Sequence, residues 1–220
     1  MNLILTQPNP SWTIDQLRRH FGMIPAERIL LDPPPGTATE DDVIWMDDHR
    51  DRFCELVDGV LLGKTMETRE ALLASDLLHK FKSYLERHPL GEALGEGGFL
   101  RLFPGVIRIP DVSFIPWERM PGEEFPHDPI ASLAPDLAVE VISKGNTKKE
   151  MERKLREYFE SGSRLVWLVY PKTQTVAVYT APDKVKRLRR TQSLDGGDVL
   201  PGFKLSLAEL FAPRRRPKGR

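Results

Sequence analysis

Cysteine is almost missing from this 220-residue chain, where Cys54 stands alone. A single thiol excludes an intramolecular disulfide and a cysteine-based zinc cluster, and it suits a reducing cytoplasm. Long apolar runs are missing too. No stretch approaches the roughly 18 apolar residues that a membrane-spanning helix requires, and the opening MNLILTQPNPSW is too poor in apolar residues for a signal peptide. The expectation is a cytoplasmic protein without a membrane segment. Nor is there an excess of either charge, with 32 Lys and Arg against 32 Asp and Glu. That balance argues against a DNA-packaging or coating role, but not against an enzyme whose positive charge is local. Several catalytic signatures are absent. The five histidines (His20, His49, His79, His88 and His127) show neither HxH nor HExxH spacing, which argues against a zinc hydrolase. The GEGG at 95–98 is followed by no GK[ST] and reads as a turn rather than a phosphate loop. No GxSxG supports a serine hydrolase.

Hydrophobic residues at 40% and charged residues at 29% fit a globular protein with one main core. Residues 1–50 read as an appendage. A short helix is expected from Ile14, Leu17 and Phe21, followed by LDPPPGTATEDD, whose three consecutive prolines favour an extended connector. Residues 51–212 form the main domain. Residues 213–220, PRRRPKGR, hold five basic side chains among eight and read as a solvated tail or a nucleic-acid contact.

Within the main domain, CELVDGVLLGK predicts a hairpin turning at Asp58-Gly59, a favoured type I′ pair. In TMETREALLASDLLHKFKSYLERH, the stripe Ala71, Leu72, Leu78, Phe81 and Leu85 predicts a helix. Two strands follow, GFLRLF and IRIPDVSFI, separated by Pro104-Gly105, and then a loop over 117–130. DLAVEVIS is a compact strand, and TKKEMERKLREYFESG a second helix capped by Gly162. RLVWLVYPKTQTVAVYT predicts a strand, a turn and a strand, and LDGGDVLPGFKLSLAELF a turn, a short strand and a short helix. The expected fold is α/β, a mixed β-sheet flanked by α-helices, without internal repeats. Trp167 is expected in the core or sheet, with base stacking as the functional alternative.

Two acids interrupt these strands. Alternation sets Ile109, Asp111 and Ser113 on one face of RIPDVSFI, and Asp136, Ala138, Glu140 and Ile142 on one face of DLAVEVIS. Glu140 closes an apolar run, where a charge is costly unless it is paired or bound to a metal. Carboxylates from two strands are the oxygen donors that Mg²⁺ prefers, with water and a substrate phosphate completing the coordination. Two acids on a solvent face would give the same spacing. On the second helix, Met151, Leu155, Tyr158 and Phe159 form the buried face. Lys154 lies at its edge, adjacent to Tyr158 at i+4, where it can reach toward the strand end carrying Glu140. A surface lysine paired with Glu150 is the alternative. Glu55 in CELVDG is another acid on a strand near this region, or a hairpin surface residue.

The run RIPDVSFI…APDLAVEVISKGNTKKEMERKLREYFESGSRLVWLVYPKTQTVAVY resembles the Uma-two family, described as putative restriction endonucleases within the PD-(D/E)XK nuclease superfamily. The resemblance spans about residues 53–211, from CELVDGVLLGKTM to LDGGDVLPGFKLSLAELF. It implies a restriction-endonuclease-like core, with Asp111 as the aspartate of the first motif and Glu140 as the acid of the second. The backbone carbonyl of Val141 would be a further metal ligand. One departure is Ile142, which stands where the simple motif has lysine. The resemblance implies that this role passes to Lys154 on the following helix, with Lys144 as the other candidate. The superfamily also suggests an acid from the first core helix, here Glu70, at a point where many family members have histidine.

The expected function is therefore a Mg²⁺-dependent endonuclease acting on DNA, with Mn²⁺ able to substitute for Mg²⁺. The alternative is a catalytically inactive nuclease fold serving as a binding or regulatory module. A homodimer is a further expectation, pairing through the sheet edge after TVAVYT.

Overall fold

The computed structural model describes residues 11–50, 52–65, 67–122 and 124–214. The expectations for residues 1–10 and for most of the basic tail, 215–220, lie outside the described residues.

The N-terminal segment begins with the expected helix, α1 (Ile14–His20), capped by Thr13 and Gln16 in a reciprocal capping box. The Pro33–Pro35 stretch is irregular as expected, but the acids after it form a second helix, α2 (Glu40–Arg50). Thr39 begins it, its backbone N–H and hydroxyl both donating to Asp42, and three acids in the first turn suit the positive end of the helix dipole. This segment has no core of its own. Leu17, Phe21 and Ile24 cluster with Val57, Val60 and Leu62, while Val43 and Met46 pack with Leu56 and Leu61.

Those partners come from the expected hairpin, β1 (Cys54–Val57) and β2 (Val60–Gly63). Asp58 and Gly59 turn it with φ of 53° and 69°, the left-handed values of a type I′ turn. Helix α3 (Thr68–Leu85) follows. Its buried stripe is Leu73, Ala74, Leu77, Phe81, Tyr84 and Leu85, with Leu72 exposed at 42%. The expected stripe is out of phase at its start, because ALLASDLL offers apolar residues on several faces, and only Phe81 and Leu85 of it lie on the true one.

A short strand unforeseen in the sequence, β3 (Gly91–Leu94), comes next. It pairs so closely with its neighbour that a Cβ on Gly91 would lie 2.1 Å from the Ile115 carbonyl oxygen. Then come β4 (Leu100–Phe103), β5 (Val106–Arg108) and β6 (Val112–Pro116). IRIPDVSFI was expected to be one strand. It divides at Ile109–Asp111, where Pro110 lacks the N–H needed to continue a ladder. The halves join different sheets, β2-β1-β5-β4 and a six-stranded sheet to which β6 belongs, so Asp111 stands where the chain crosses between them.

The rest of the six-stranded sheet is β7 (Leu137–Val141), β8 (Leu165–Tyr170), β9 (Thr175–Ala181) and β10 (Lys184–Leu188), in the order β10-β9-β8-β7-β6-β3. Strands β7 and β8 are parallel and are joined by α4 (Lys148–Glu160). Gly162, φ +104°, follows this helix in the left-handed conformation expected of its cap. Strand β10 was not foreseen, because KVKRL is too charged to read as a strand. It covers the β9 edge on which a dimer was expected to form, and its own basic side chains disfavour pairing with a copy of itself. A two-stranded ribbon, β11 (Ser193–Asp195) and β12 (Lys204–Ser206), and a short helix, α5 (Leu207–Leu210), complete the chain.

The six-stranded sheet is covered on both faces. Val112, Phe114, Leu137, Val139, Val141 and Trp167 pack toward α3 and α5, where Trp167 is fully buried beside Phe81 and Phe203. Ala138, Val166, Leu168 and Ala177 pack toward Met151, Leu155 and Tyr158 of α4. The architecture is the expected mixed α/β sheet flanked by helices. Among the described residues no helix is long and apolar enough to cross a membrane.

Candidate active site

The face under α4 carries an unusual load of charge. Asp111, Glu140, Glu55, Lys154, Glu150 and Arg108 are all at least nine-tenths buried. Asp111 and Glu140, expected on two neighbouring strands, lie at the break before β6 and near the end of β7, and register explains why they meet. Val112 pairs with Val139, and the Asp111 backbone N–H donates to the Val139 carbonyl, 3.0 Å, so Asp111 enters β6 beside the end of β7. Its Oδ2 accepts the Val141 N–H at 2.6 Å. Its Oδ1 lies 2.6 Å from the ammonium of Lys64, which follows β2 and was not singled out in the sequence.

Lys154 reaches Glu140 from the helix. Its ammonium lies 3.0 Å from Glu140 Oε1 and 2.8 Å from Glu55 Oε1, and the Tyr158 hydroxyl donates to the same Glu140 oxygen at 2.6 Å. Glu55 is therefore no surface residue. It binds Lys154 on one side and Arg108 on the other, Arg108 Nη1 lying 2.7 Å from Glu55 Oε2 while its remaining nitrogens hold Glu157. The other side-chain expectations divide. Lys144 is exposed and paired with Glu67 at 2.7 Å, away from the two carboxylates. Glu70 is buried in the first turn of α3 with Oε2 lacking a hydrogen-bond partner, but it does not line the cavity that Asp111 and Glu140 share. Lys154 is not paired with Glu150, whose carboxylate instead caps α4 through Thr147 and binds Arg28 at 2.7 Å.

That cavity, about 20 Å³, is lined by Arg28, Lys64, Thr65, Asp111, Glu140, Val141, Asn146 and Lys154. It has room for roughly one water-sized species. Arg28 ties its rim together, donating to the Gly63 and Gly145 carbonyls as well as to Glu150. Lys64, Arg28 and Arg108 were all missed in the sequence, where a cation on a short strand or in a loop carries no periodic signal.

The electrostatics follow from burial. For Glu140, desolvation raises the pKa, and Asp111 across the cavity adds to the rise; together they outweigh Lys154 and Lys64. Burial works against the charge on Lys154, but Glu140 and Glu55 overcome it, so its pKa is raised and it stays an ammonium. Glu55 is also desolvated, yet Lys154 and Arg108 hold it well below the usual carboxylate range. Tyr158, buried against Glu140 and Glu55, is pushed far up and remains a neutral donor.

Comparison with known proteins bears on this arrangement. The model of the Uma2 family, described as a putative restriction endonuclease, matches residues 40–208. The chain belongs to this family. Its match begins within α2, inside the segment read as an appendage, so Arg28 reaches the cavity from outside the matched region. A crystal structure of a putative nuclease belonging to DUF820 from Anabaena variabilis ATCC 29413 is similar, with a TM-score of 0.65 and 22% identity over 73% of this chain and 90% of that one. At that identity the likeness speaks for the fold. No curated protein matches the chain.

The donor set of this Uma2 member fits a single hard divalent ion. Two carboxylates of like charge face one small cavity, and Asp111 makes Glu140 harder to ionise. No group of three His, Cys, Asp or Glu side chains suited to a metal occurs among the described residues. Carboxylate oxygens are the hard donors that such an ion takes.

Proposed function

We propose that the protein is a metal-dependent endonuclease hydrolysing phosphodiester bonds in DNA, with Asp111, Glu140 and the Val141 carbonyl holding Mg²⁺ and Mn²⁺ able to replace it. The observation that carries this reading is the convergence of Asp111, Glu140 and the Lys154 ammonium on one small cavity at a strand end. Family membership supports nucleic acid as the substrate. When bound, the ion would acidify a water and offset charge on the phosphoryl oxygens.

The chain's own groups supply the rest. Lys154 stays charged at neutral pH and can orient the attacking water while offsetting negative charge as it develops in the transition state. Tyr158 donates to Glu140 and fixes its rotamer, while Glu55 holds Lys154 from the other side. Arg28 and Glu150 keep the start of α4, and hence Lys154 one turn later, against the end of β2. Cutting both strands would suit two copies of the chain; light scattering tests that homodimer.

A second reading has a specific observation in its favour. Asp111 is paired with Lys64 and Glu140 with Lys154, so both acids are compensated without a metal. That is what a catalytically inactive binding module built on this fold would show. Calorimetric titration with Mn²⁺ separates the two. The endonuclease reading expects saturable binding that Asp111→Ala and Glu140→Ala each abolish. A wild-type protein that binds no Mn²⁺ overturns it.

A further inference from the structure

Charge is balanced over the whole chain but not over its surface. Residues 184–190 read KVKRLRR, five basic side chains in seven positions. Lys184, Lys186, Arg187, Arg189 and Arg190 are all exposed, and none forms an ion pair with a described acid. Some exposed cations elsewhere are neutralised, Lys80 by Glu209, Lys144 by Glu67 and Lys148 by Glu152, and those that are not, such as Arg19, Lys82 and Arg156, are not gathered five in seven positions. An unneutralised basic strand on a neutral protein fits an anionic partner.

Register relates this strand to the cavity. Glu140 lies opposite Leu168, Leu168 opposite Ala177, and Ala177 opposite Arg187. Side chains in one row of a sheet share a face, so Arg187 lies in the row and on the face of Glu140, three strand spacings or about 14 Å away. Strand β10 runs back toward the end of the sheet that carries Glu140, and Arg189 and Arg190 follow there. Lys172 is exposed in the β8–β9 turn at the same end. Leu168 and Ala177 of that row lie beneath α4, so a backbone can pass from Arg187 to the cavity only along the strand ends, where Arg189, Arg190 and Lys172 lie.

We propose that Lys172, Arg187, Arg189 and Arg190 form the surface on which the backbone of duplex DNA lies while one phosphodiester reaches the Asp111–Glu140 cavity. The inference rests on the endonuclease reading only for the position of the scissile bond. Lys184 lies at the far end of β10, and Lys186, opposite Val178, lies on the other face, so both fall outside the track.

The test is anisotropy of a fluorescent duplex bound in Ca²⁺ over about 50 to 200 mM salt. Arg187→Gln with Arg189→Gln is compared with Lys184→Gln and Lys186→Gln, which removes the same charge. Two lost phosphate contacts should reduce the slope of log affinity against log salt by about 1.8. The arginine pair should show that reduction with Mn²⁺ binding at the cavity unchanged, and the lysine pair should keep the wild-type slope. Equal losses in the two pairs, an unchanged arginine pair, or a wild-type protein that binds no duplex would each overturn the docking surface. Arginine-dependent binding by a protein that neither binds Mn²⁺ nor cuts DNA would uphold the surface and end the endonuclease reading instead.

Discussion

The Lys64 ammonium lies 2.6 Å from Oδ1 of Asp111, with both side chains more than nine-tenths buried. A lysine from the hairpin thus occupies the position of a counter-ion to the first proposed metal ligand. A divalent ion would compete with it for the same oxygen.

Lys64→Met is therefore expected to tighten Mn²⁺ binding by about tenfold, or 1.4 kcal/mol. Without Mn²⁺ the variant should be less stable, because Asp111 is left as an uncompensated buried charge, and Mn²⁺ should raise its melting temperature more than that of the wild type. Calorimetry and thermal unfolding read both effects. Weaker Mn²⁺ binding in the variant would show that Lys64 supports the ion rather than competing with it.

Lys154→Met should separate chemistry from metal binding. Loss of the ammonium is expected to lower kcat for DNA cleavage by about 10²- to 10³-fold, while Mn²⁺ still binds. A variant that binds Mn²⁺ and cuts at the wild-type rate removes Lys154 from the reaction and would reopen the case for Lys144.

The Arg108 cluster makes a prediction about stability alone. Arg108 bridges Glu55 and Glu157, and its removal strands two buried carboxylates. Arg108→Met should cost about 3–5 kcal/mol in urea unfolding. Adding Glu157→Gln should recover part of that loss, since one of the stranded charges is then gone. An Arg108→Met protein of wild-type stability would contradict the burial assigned to this cluster.

A pH effect is expected where the N-terminal segment meets the domain. Asp58 accepts from His20 at 2.7 Å and pairs with Arg153 at 2.9 Å. Burial pushes its pKa up, but those partners bring it down to about 2 from an ordinary 3.8. A depressed carboxylate stabilises the folded state above its unfolded pKa and loses that contribution as pH falls through its folded value. The link should thus add about 2 kcal/mol above pH ~4 and fade toward pH ~2. Asp58→Asn keeps a residue that tolerates the left-handed turn, so its stability deficit should shrink over that window. A deficit independent of pH would place the effect in the turn itself.

The legible and illegible parts of the site differ for a physical reason. Asp111 and Glu140 could be read because each interrupts an apolar alternation, and Lys154 and Tyr158 because helix spacing puts them on one side of α4. Glu55 was visible as an acid but not as a buried one, since β1 is covered on both faces and shows no alternation. Lys64 and Arg28 reach the cavity from a strand end and a turn, where position depends on contacts distant in sequence. The same limit hid β10, whose basic side chains suggest a loop until its pairing with β9 is seen, and it hid the division of IRIPDVSFI between two sheets.

The most direct test is incubation of purified protein with supercoiled plasmid in Mg²⁺ or Mn²⁺, with and without chelator, alongside Asp111→Ala and Glu140→Ala. The account predicts that the wild type converts the plasmid to open and linear forms only when the metal is present, and that neither variant does. Cleavage that survives either substitution, or persists in the chelator, would contradict it.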